Sequence, residues 1–379
     1  MKKTLLLLAS VTLSTVVMAQ DNTPKEEFKP SGKIWGYAFG DYYTKLHADS
    51  LNRGNAQYSG IPKDLNAFDL RRVYLGYDYN ISEKFSTELL VSHEGQTLSD
   101  GTRTLFLKVA DVRWKGIFRN TDLVIGQQPT LAFPMLTEKI WGYRSIEKTV
   151  FDMRKGAVST DLGISLQGKF DEAGNYGYNL MVGNGTGQKF ETDVYKKYYG
   201  DVWAKFMNQH IILDLYGDHE SVRLLPGFHK AKTSFKFFAA YQSDAITAGL
   251  EAYQQMQKAY VVAGDSVTDP KADTSDATVM GVSVWVRGMI IKEKLNFFAR
   301  YDMYNPDVKF DADKFYFSGG APVTETFITA GLDYTPHKNV HIMPNIWYNG
   351  YSNRTKNAKG LTKSDNDLVA RITFWYIFK

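Results

Sequence analysis

Residues 367–379 constrain this chain more than any other stretch. Leu368, Ala370, Ile372, Phe374, Tyr376 and Phe378 fall on one parity, and Val369, Arg371, Thr373, Trp375 and Ile377 fall on the other. Alternate side chains of a strand point to opposite faces, so the first set forms an apolar face that ends in aromatics one residue before the terminus. Such a strand is a liability at the edge of a soluble sheet, where it recruits other chains. A transmembrane β-barrel requires it, because its last strand must pair with its first and turn its apolar face to lipid.

The amino terminus agrees with that compartment. Lys2 and Lys3 precede the apolar residues Leu5, Leu6, Leu7 and Leu8, and Val17-Met18-Ala19 forms a small-residue cleavage site. Residues 1–19 are therefore expected to be a signal peptide, and the polar residues 20–31 a periplasmic leader. No Cys follows the cleavage site, which excludes a lipoprotein, and the chain contains 0 Cys, which excludes disulfides.

No run of about 20 apolar residues follows the signal, so helical membrane spans are excluded. The mean hydropathy is −0.33, yet aromatics make up 14% of residues. That combination fits strands that show lipid only every second residue. The whole chain has 45 basic and 41 acidic residues. Without Lys2 and Lys3 the balance is 45 − 2 = 43 against 41, or +2, which gives no reason to expect nucleic acid as a partner.

From Phe68 onward hairpins recur. Val73, Leu75, Tyr77 and Tyr79 oppose Arg72, Tyr74, Gly76 and Asp78, and a turn at 80–84 leads to Phe85, Thr87, Leu89 and Val91. Similar units centre on 162–166 with 176–182, 202–206 with 211–215, 235–241 with 246–252, 282–286 with 297–303, and 328–334 with 340–346. Short turns alternate with long connections at 49–66, 129–156, 256–278, 305–324 and 351–366, the asymmetry of an outer-membrane barrel. The expected fold is all-β: a transmembrane antiparallel barrel of about 16 strands over residues 32–379. No plug-sized segment is expected before the strands, which argues against a plugged transporter.

Residues 129–156 stand out. Structureless loops above roughly 12–15 residues are usually functional or disordered, and this one carries Phe133, Met135, Leu136, Ile140, Trp141, Tyr143, Ile146 and Phe151. By strand alternation it is the third external loop. Folded inward it would pack Trp141 and Tyr143 against the wall and present Arg144, Lys148 and Arg154 to solute, with Glu147 neutralising a neighbour. On the wall, parity assigns Arg72, Lys169, Lys205, Lys236, Arg287, Arg300 and Arg371 to the lumen. The same parity assigns Asp78, Glu88, Asp161, Asp201, Asp214, Asp218, Glu251, Asp302 and Asp333 there. For each wall arginine a salt bridge within the wall competes with a role in permeation. Arg72, Arg300 and Arg371 join the loop residues as candidate pore residues.

Two segments, Trp141-Gly142-Tyr143-Arg144-Ser145-Ile146-Glu147-Lys148-Thr149 and Leu70-Arg71-Arg72-Val73-Tyr74-Leu75-Gly76-Tyr77, resemble Bacteroidetes-type porins grouped with the phosphate-selective porin O and P family. The last strand resembles the assembly signal of outer-membrane proteins, departing from it in ending on Lys379. The resemblance implies a sixteen-stranded, homotrimeric barrel that passes small hydrophilic solutes or ions passively through the outer membrane, without cofactor. Anions such as phosphate are included, although the ladder of lumen arginines and lysines that marks the phosphate-selective members cannot be placed in this sequence.

Two rival classes remain. A barrel enzyme would need a nucleophile and base at one depth. His219-Glu220-Ser221 is the one suggestive cluster, and adjacent residues point to opposite faces. No phosphate-cradling Gly loop or HExxH is present, so no catalytic residue is expected. Asp265, Asp269, Asp273 and Asp276 lack the order of a calcium loop, and no metal site is expected. An adhesive barrel would need a filled interior, whereas about 16 strands leave a channel unless something plugs it.

Overall fold

The computed structural model describes residues 28–54, 56–225, 228–263, 274–310, 314–316, 323–353 and 364–379. The expected signal peptide and residues 20–27 of the expected leader lie outside the described residues. The strands are β1 Ser31–His47, β2 Asn66–Asn80, β3 Phe85–His93, β4 Phe106–Phe118, β5 Thr121–Pro129, β6 Thr160–Lys169, β7 Tyr176–Gly183, β8 Lys197–Phe206 and β9 Ile211–Leu225. They continue as β10 Phe228–Gln242, β11 Ile246–Ala263, β12 Thr274–Ile291, β13 Leu295–Asn305, β14 Lys314–Tyr316, β15 Val323–His337, β16 Val340–Asn353 and β17 Asp365–Phe378. Two short helices, α1 Thr137–Trp141 and α2 Val150–Met153, lie between β5 and β6.

Sixteen of these strands close a ring of antiparallel neighbours, with β13 pairing directly to β15 and β1 pairing to both β2 and β17. The closing seam runs from Gly36 opposite Phe378 to His47 opposite Leu368. Closure leaves no strand edge, which is what a sheet in hydrocarbon requires, since each unpaired backbone group there costs several kcal/mol. The small strand β14 stands apart from the ring and pairs with Val261 to Ala263 of β11.

The two faces of the wall have opposite chemistry. Along β17, Ile372, Tyr376 and Phe378 are 48%, 46% and 41% exposed, whereas Arg371 and Thr373, on either side of Ile372, are 3% and 0% exposed. The same alternation of exposed aliphatic and buried polar side chains runs around the ring. Polar inside and apolar outside is the inverse of a soluble barrel and suits lipid.

Among the β-bulges that interrupt the alternation, two set the direction of inward cations. Phe39 pairs with Arg72 and Gly40 with Leu70, so Arg71 is an extra residue in β2. Leu90 pairs with Val109 and Val91 with Leu107, so Lys108 is an extra residue in β4. Each bulge turns two successive side chains to the same side: Arg71 and Arg72 in one, Lys108 and Val109 in the other. Strict parity would have pointed Arg71 and Lys108 at lipid.

The connections mostly alternate short and long, but β9 ends at Leu225 and β10 begins at Phe228, a short connection where alternation calls for a long one. The long connection expected at 256–278 is mostly strand where the structure describes it: β11 runs to Ala263 and β12 starts at Thr274. The pairing of Val261 with Ser275 and Val262 with Thr274 lengthens that hairpin. Residues 94–105 and 184–196 form further long connections that sequence periodicity passes over.

Candidate functional site

The segment between β5 and β6 is built to lie on something apolar. Gly142 ends α1 in the left-handed conformation (φ 71°), its amide donating to Glu138 O at 2.9 Å. Glycine adopts that geometry without the penalty of a Cβ, and it swings Tyr143 to the same side as Trp141. Trp141 lies against Trp285 of β12 with ring centroids 5.2 Å apart, and Tyr143 lies against Phe298 of β13 at 4.6 Å. Phe133 and Phe151 join Met181, Tyr199, Tyr216 and Tyr253 in a second cluster, and Met153 joins Phe327 and Trp347 in a third. Each such buried side chain contributes about 1.5–3 kcal/mol.

Polar bonds follow the segment around the wall. Lys236 Nζ donates to Thr137 Oγ1 at 2.8 Å, Arg287 Nε to Ile140 O at 3.3 Å, and Tyr143 OH to Asp333 Oδ2 at 3.1 Å. Arg371 donates to Ile146 O at 2.6 Å, and the Trp347 indole to Glu147 Oε2 at 2.9 Å. Arg71 donates to Ser145 O, and Arg300 to Lys148 O. The Phe151 amide donates to Glu251 Oε1 at 3.2 Å, and Gln255 Nε2 to Gly156 O at 2.8 Å. Apart from Arg71 on β2, these partners lie on β10 through β17.

Several arginines that sequence parity assigns to the lumen therefore hold the loop backbone. Arg300 also forms a two-point pair with Asp302, at 2.8 and 2.5 Å. Arg371 reaches Asn345 Oδ1 at 2.5 Å and Tyr58 OH at 3.1 Å. Arg154, expected from the sequence to face solute, does otherwise. Its guanidinium donates to Glu325 Oε2 at 2.5 Å and Asn349 Oδ1 at 3.1 Å, and lies over the Tyr304 ring at 5.0 Å. The reason is that α2 ends on the side of the segment turned toward β13, β15 and β16.

The opposite side of the segment borders open space. One cavity of about 450 Å³ lies between Glu138, Lys139 and Arg144 of the segment and Tyr74, Glu88, Lys108, Asp111 and Arg113 of β2 to β4. A second, of about 480 Å³, lies between Arg144, Glu147 and Lys148 and a wall formed by Arg71, Arg72, His93 and Glu94. Arg144 lines both cavities. Its guanidinium contacts Glu138 Oε2 at 2.9 Å and Asp152 Oδ2 at 3.5 Å, and Lys148 Nζ lies 3.8 Å from Asp152 Oδ1. Across the gap, Glu94 accepts from both Arg72 and Lys108, from Tyr74 OH at 2.9 Å and from Ser92 Oγ at 3.1 Å.

Three loop carboxyls sit in different fields. Burial would raise Glu94, but Arg72 and Lys108 hold it well below the usual carboxylate range. Burial likewise opposes ionisation of Glu147, yet Arg371 and the Trp347 indole keep it below that range. Glu138 is pushed up, because burial outweighs the pull of Arg144.

Sequence periodicity misses Arg71, Lys108, Glu94 and Tyr58. Tyr58 belongs to a stretch rich in Asn, Ser and Gly, yet it is 1% exposed and donates to Asp41 Oδ2 at 2.8 Å. The signal for the two cations was available: Arg71 beside Arg72, and Lys108 between Leu107 and Val109, cannot all obey one parity without turning a cation to lipid, which costs about 2–4 kcal/mol at mid-depth. His219-Glu220-Ser221 is divided by the strand: Glu220 pairs with Lys197 at 3.1 Å, while His219 is exposed and reaches Thr233 Oγ1 at 2.8 Å. Of the Asp residues considered for calcium, Asp265, Asp269 and Asp273 lie outside the described residues.

No protein-family model matches the chain, and no curated protein matches it by sequence. Solved structures do match. OmpT expressed in the outer membrane of Vibrio cholerae superposes with a TM-score of 0.58 at 12% identity, over 93% of this chain and 100% of that one. An anion-selective porin from Comamonas acidovorans gives 0.60 at 10% identity, over 92% and 100%. OmpF of Salmonella typhi gives 0.58 at 11% identity, over 91% and 97%. The chain has a porin-type fold. At these identities the likeness concerns the barrel alone and does not extend to the specific O and P family.

Proposed function

We propose that this chain is an outer-membrane porin through which small hydrophilic solutes and ions diffuse passively. The observation that carries the reading is the one-sided attachment of residues 129–156. Their apolar face packs against β7–β17 and their backbone, apart from Ser145 on Arg71 of β2, is bonded to β11–β17, while Arg144 and Lys148 border open, charged space on the β2–β4 side. A loop fixed in that way would narrow the lumen without closing it, with Trp141 and Tyr143 as anchors. Arg72, Arg144 and Lys148 are then the solute-facing charges, and Arg154, Arg300 and Arg371 are tethers, as is Glu147.

Cations and carboxylates interleave at the proposed constriction, which favours a modest anion preference over a strict one. No covalent chemistry is required of any residue in this reading. A homotrimer is proposed from the fold likeness, one of the matching Vibrio cholerae OmpT structures being a trimer form. A mild-detergent mass equal to that of three chains is expected, and a monomer alone would count against it.

The test of the function is electrical. Purified protein added to a planar bilayer should give discrete conductance steps, larger when residues 134–153 are removed. Folded, inserted barrels that carry no current would refute the porin reading and favour a filled, adhesive barrel.

A further inference from the structure

We propose that Glu94 sets the ion preference of the constriction, an inference that rests on the porin reading and names the residue by which such a pore would discriminate. Glu94 follows directly on β3 and sits between Arg72 of β2 and the bulged Lys108 of β4. Arg72 faces inward on the regular parity of β2, and the bulge at Lys108 brings in a cation that regular pairing would exclude. Both donate to the Glu94 carboxylate. Arg144 faces the same space from the loop.

The other carboxylates bordering that cavity are already engaged. Asp69 pairs with Arg103 at 3.0 Å, and Glu147 accepts from the Trp347 indole at 2.9 Å and the Lys148 amide at 3.0 Å. Arg144 has Glu138 and Asp152 as its own counterions. Removing the charge at Glu94 would therefore leave Arg72 and Lys108 without their anionic partner beside the cavity that Arg144 faces. The barrel could still assemble, because Gln keeps an acceptor oxygen for Tyr74 and Ser92.

The size of the effect follows from Coulomb's law. One unit charge about 5 Å from a permeating ion, in a dielectric as high as water, changes its local concentration about fourfold, and lower dielectric gives more. Reversal potentials in a potassium chloride gradient across a planar bilayer read this directly. Because the change acts on the two ions in opposite directions, Glu94→Gln should raise the chloride-to-potassium permeability ratio by about sixteenfold, and Arg72→Gln should lower it by a similar factor. Asp69→Asn, in an exposed pair, should leave it near the parent value.

Conducting Glu94→Gln and Arg72→Gln channels with the parent's reversal potential would overturn the proposal. If only one of them inserts, its shift decides. If neither inserts, the cluster is structural and the proposal fails. A parent protein that carries no current would instead refute the porin reading itself, so the two failures are distinct.

Discussion

Replacing Arg154 with Met distinguishes a tether from a pore charge. The Arg154 and Glu325 side chains are 4% and 8% exposed and lie 2.5 Å apart. Met retains much of the apolar stem that rests on Tyr304 but leaves Glu325 with Asn349 Nδ2, at 2.6 Å, as its remaining side-chain donor. Removing one partner of a buried pair costs about 3–5 kcal/mol. The barrel ladder does not run through Arg154, so the cost should appear as local release of the carboxyl-terminal end of the loop. At tenfold per 1.4 kcal/mol, a release of about 3 kcal/mol raises the detached population on the order of a hundredfold. Amide exchange at Met153 to Gly156 should accelerate by that factor, and single-channel current should become noisy with a higher mean. Heat-modifiable barrel should be recovered in normal amounts. Adding Glu325→Gln removes the stranded carboxylate and should restore most of the protection, a coupling that a double-mutant cycle measures. A quiet Arg154→Met channel with a shifted reversal potential and unchanged exchange would mean that Arg154 faces solute, and the tether argument would be wrong.

Further expectations concern the loop, its titration and assembly. Deleting residues 134–153 should raise conductance while preserving the barrel, because β5 and β6 already pair from Thr121 with Gly168 to Pro129 with Thr160; unchanged conductance would place the loop outside the current path. Glu138 is raised by burial, so it loses its charge as pH falls through a value above the usual carboxylate range. Anion preference should climb there, before ordinary carboxylates titrate, and a flat profile down to pH about 4 would contradict this. The linkage signs also differ: the fold disfavours ionised Glu138, so its contribution to loop attachment is present at low pH and lost on raising it. The contribution of Glu147, whose carboxyl is lowered, is present above its unfolded value and lost as pH falls through the folded one. Phe378→Asp should leave signal cleavage intact and block stable insertion, since Phe378 belongs to the exposed apolar face of β17 and pairs with Gly36 at the seam. Normal amounts of inserted, heat-modifiable barrel would refute that role.

The wall was legible because a strand has a period of two and lipid enforces it. Ile372, Phe374, Tyr376 and Phe378 could not share a face with Arg371 and Thr373 in any regular strand. The apolar content of residues 129–156 was also legible. Its direction was not, because hydrophobicity says that a loop must pack without saying against which strands. Arg154 and Arg144 are equally polar in sequence, and only the turn at Gly142 and the end of α2 send them to opposite sides. The bulges were hidden for a related reason: one inserted residue resets the parity on which the inward assignments depend. Tyr58 was lost in a polar stretch because a single aromatic there carries no periodicity. Its partners, Asp41 and Arg371, come from the two ends of the chain.

The distribution of inward cations has a consequence for how such a pore selects. A loop packed against a wall is not held there by apolar contact alone, since the carbonyls and amides it turns away from water must bond to the wall. Here arginines on β12, β13 and β17 donate to the carbonyls of Ile140, Lys148 and Ile146. A guanidinium is suited to this, with five donors in a fixed fork that can hold a wall carboxylate and a loop carbonyl at once, as Arg300 does with Asp302 and Lys148. These charges are thereby withdrawn from the path of solutes. On the porin reading, the field met by an ion would then come from the near wall, where Arg72, Lys108 and Glu94 lie across open space from Arg144. Counting every inward arginine as a pore charge would give a strongly anion-selective channel. Counting only those on the open side would leave the proposed constriction close to balance, which is why the proposal assigns its sign to one carboxylate.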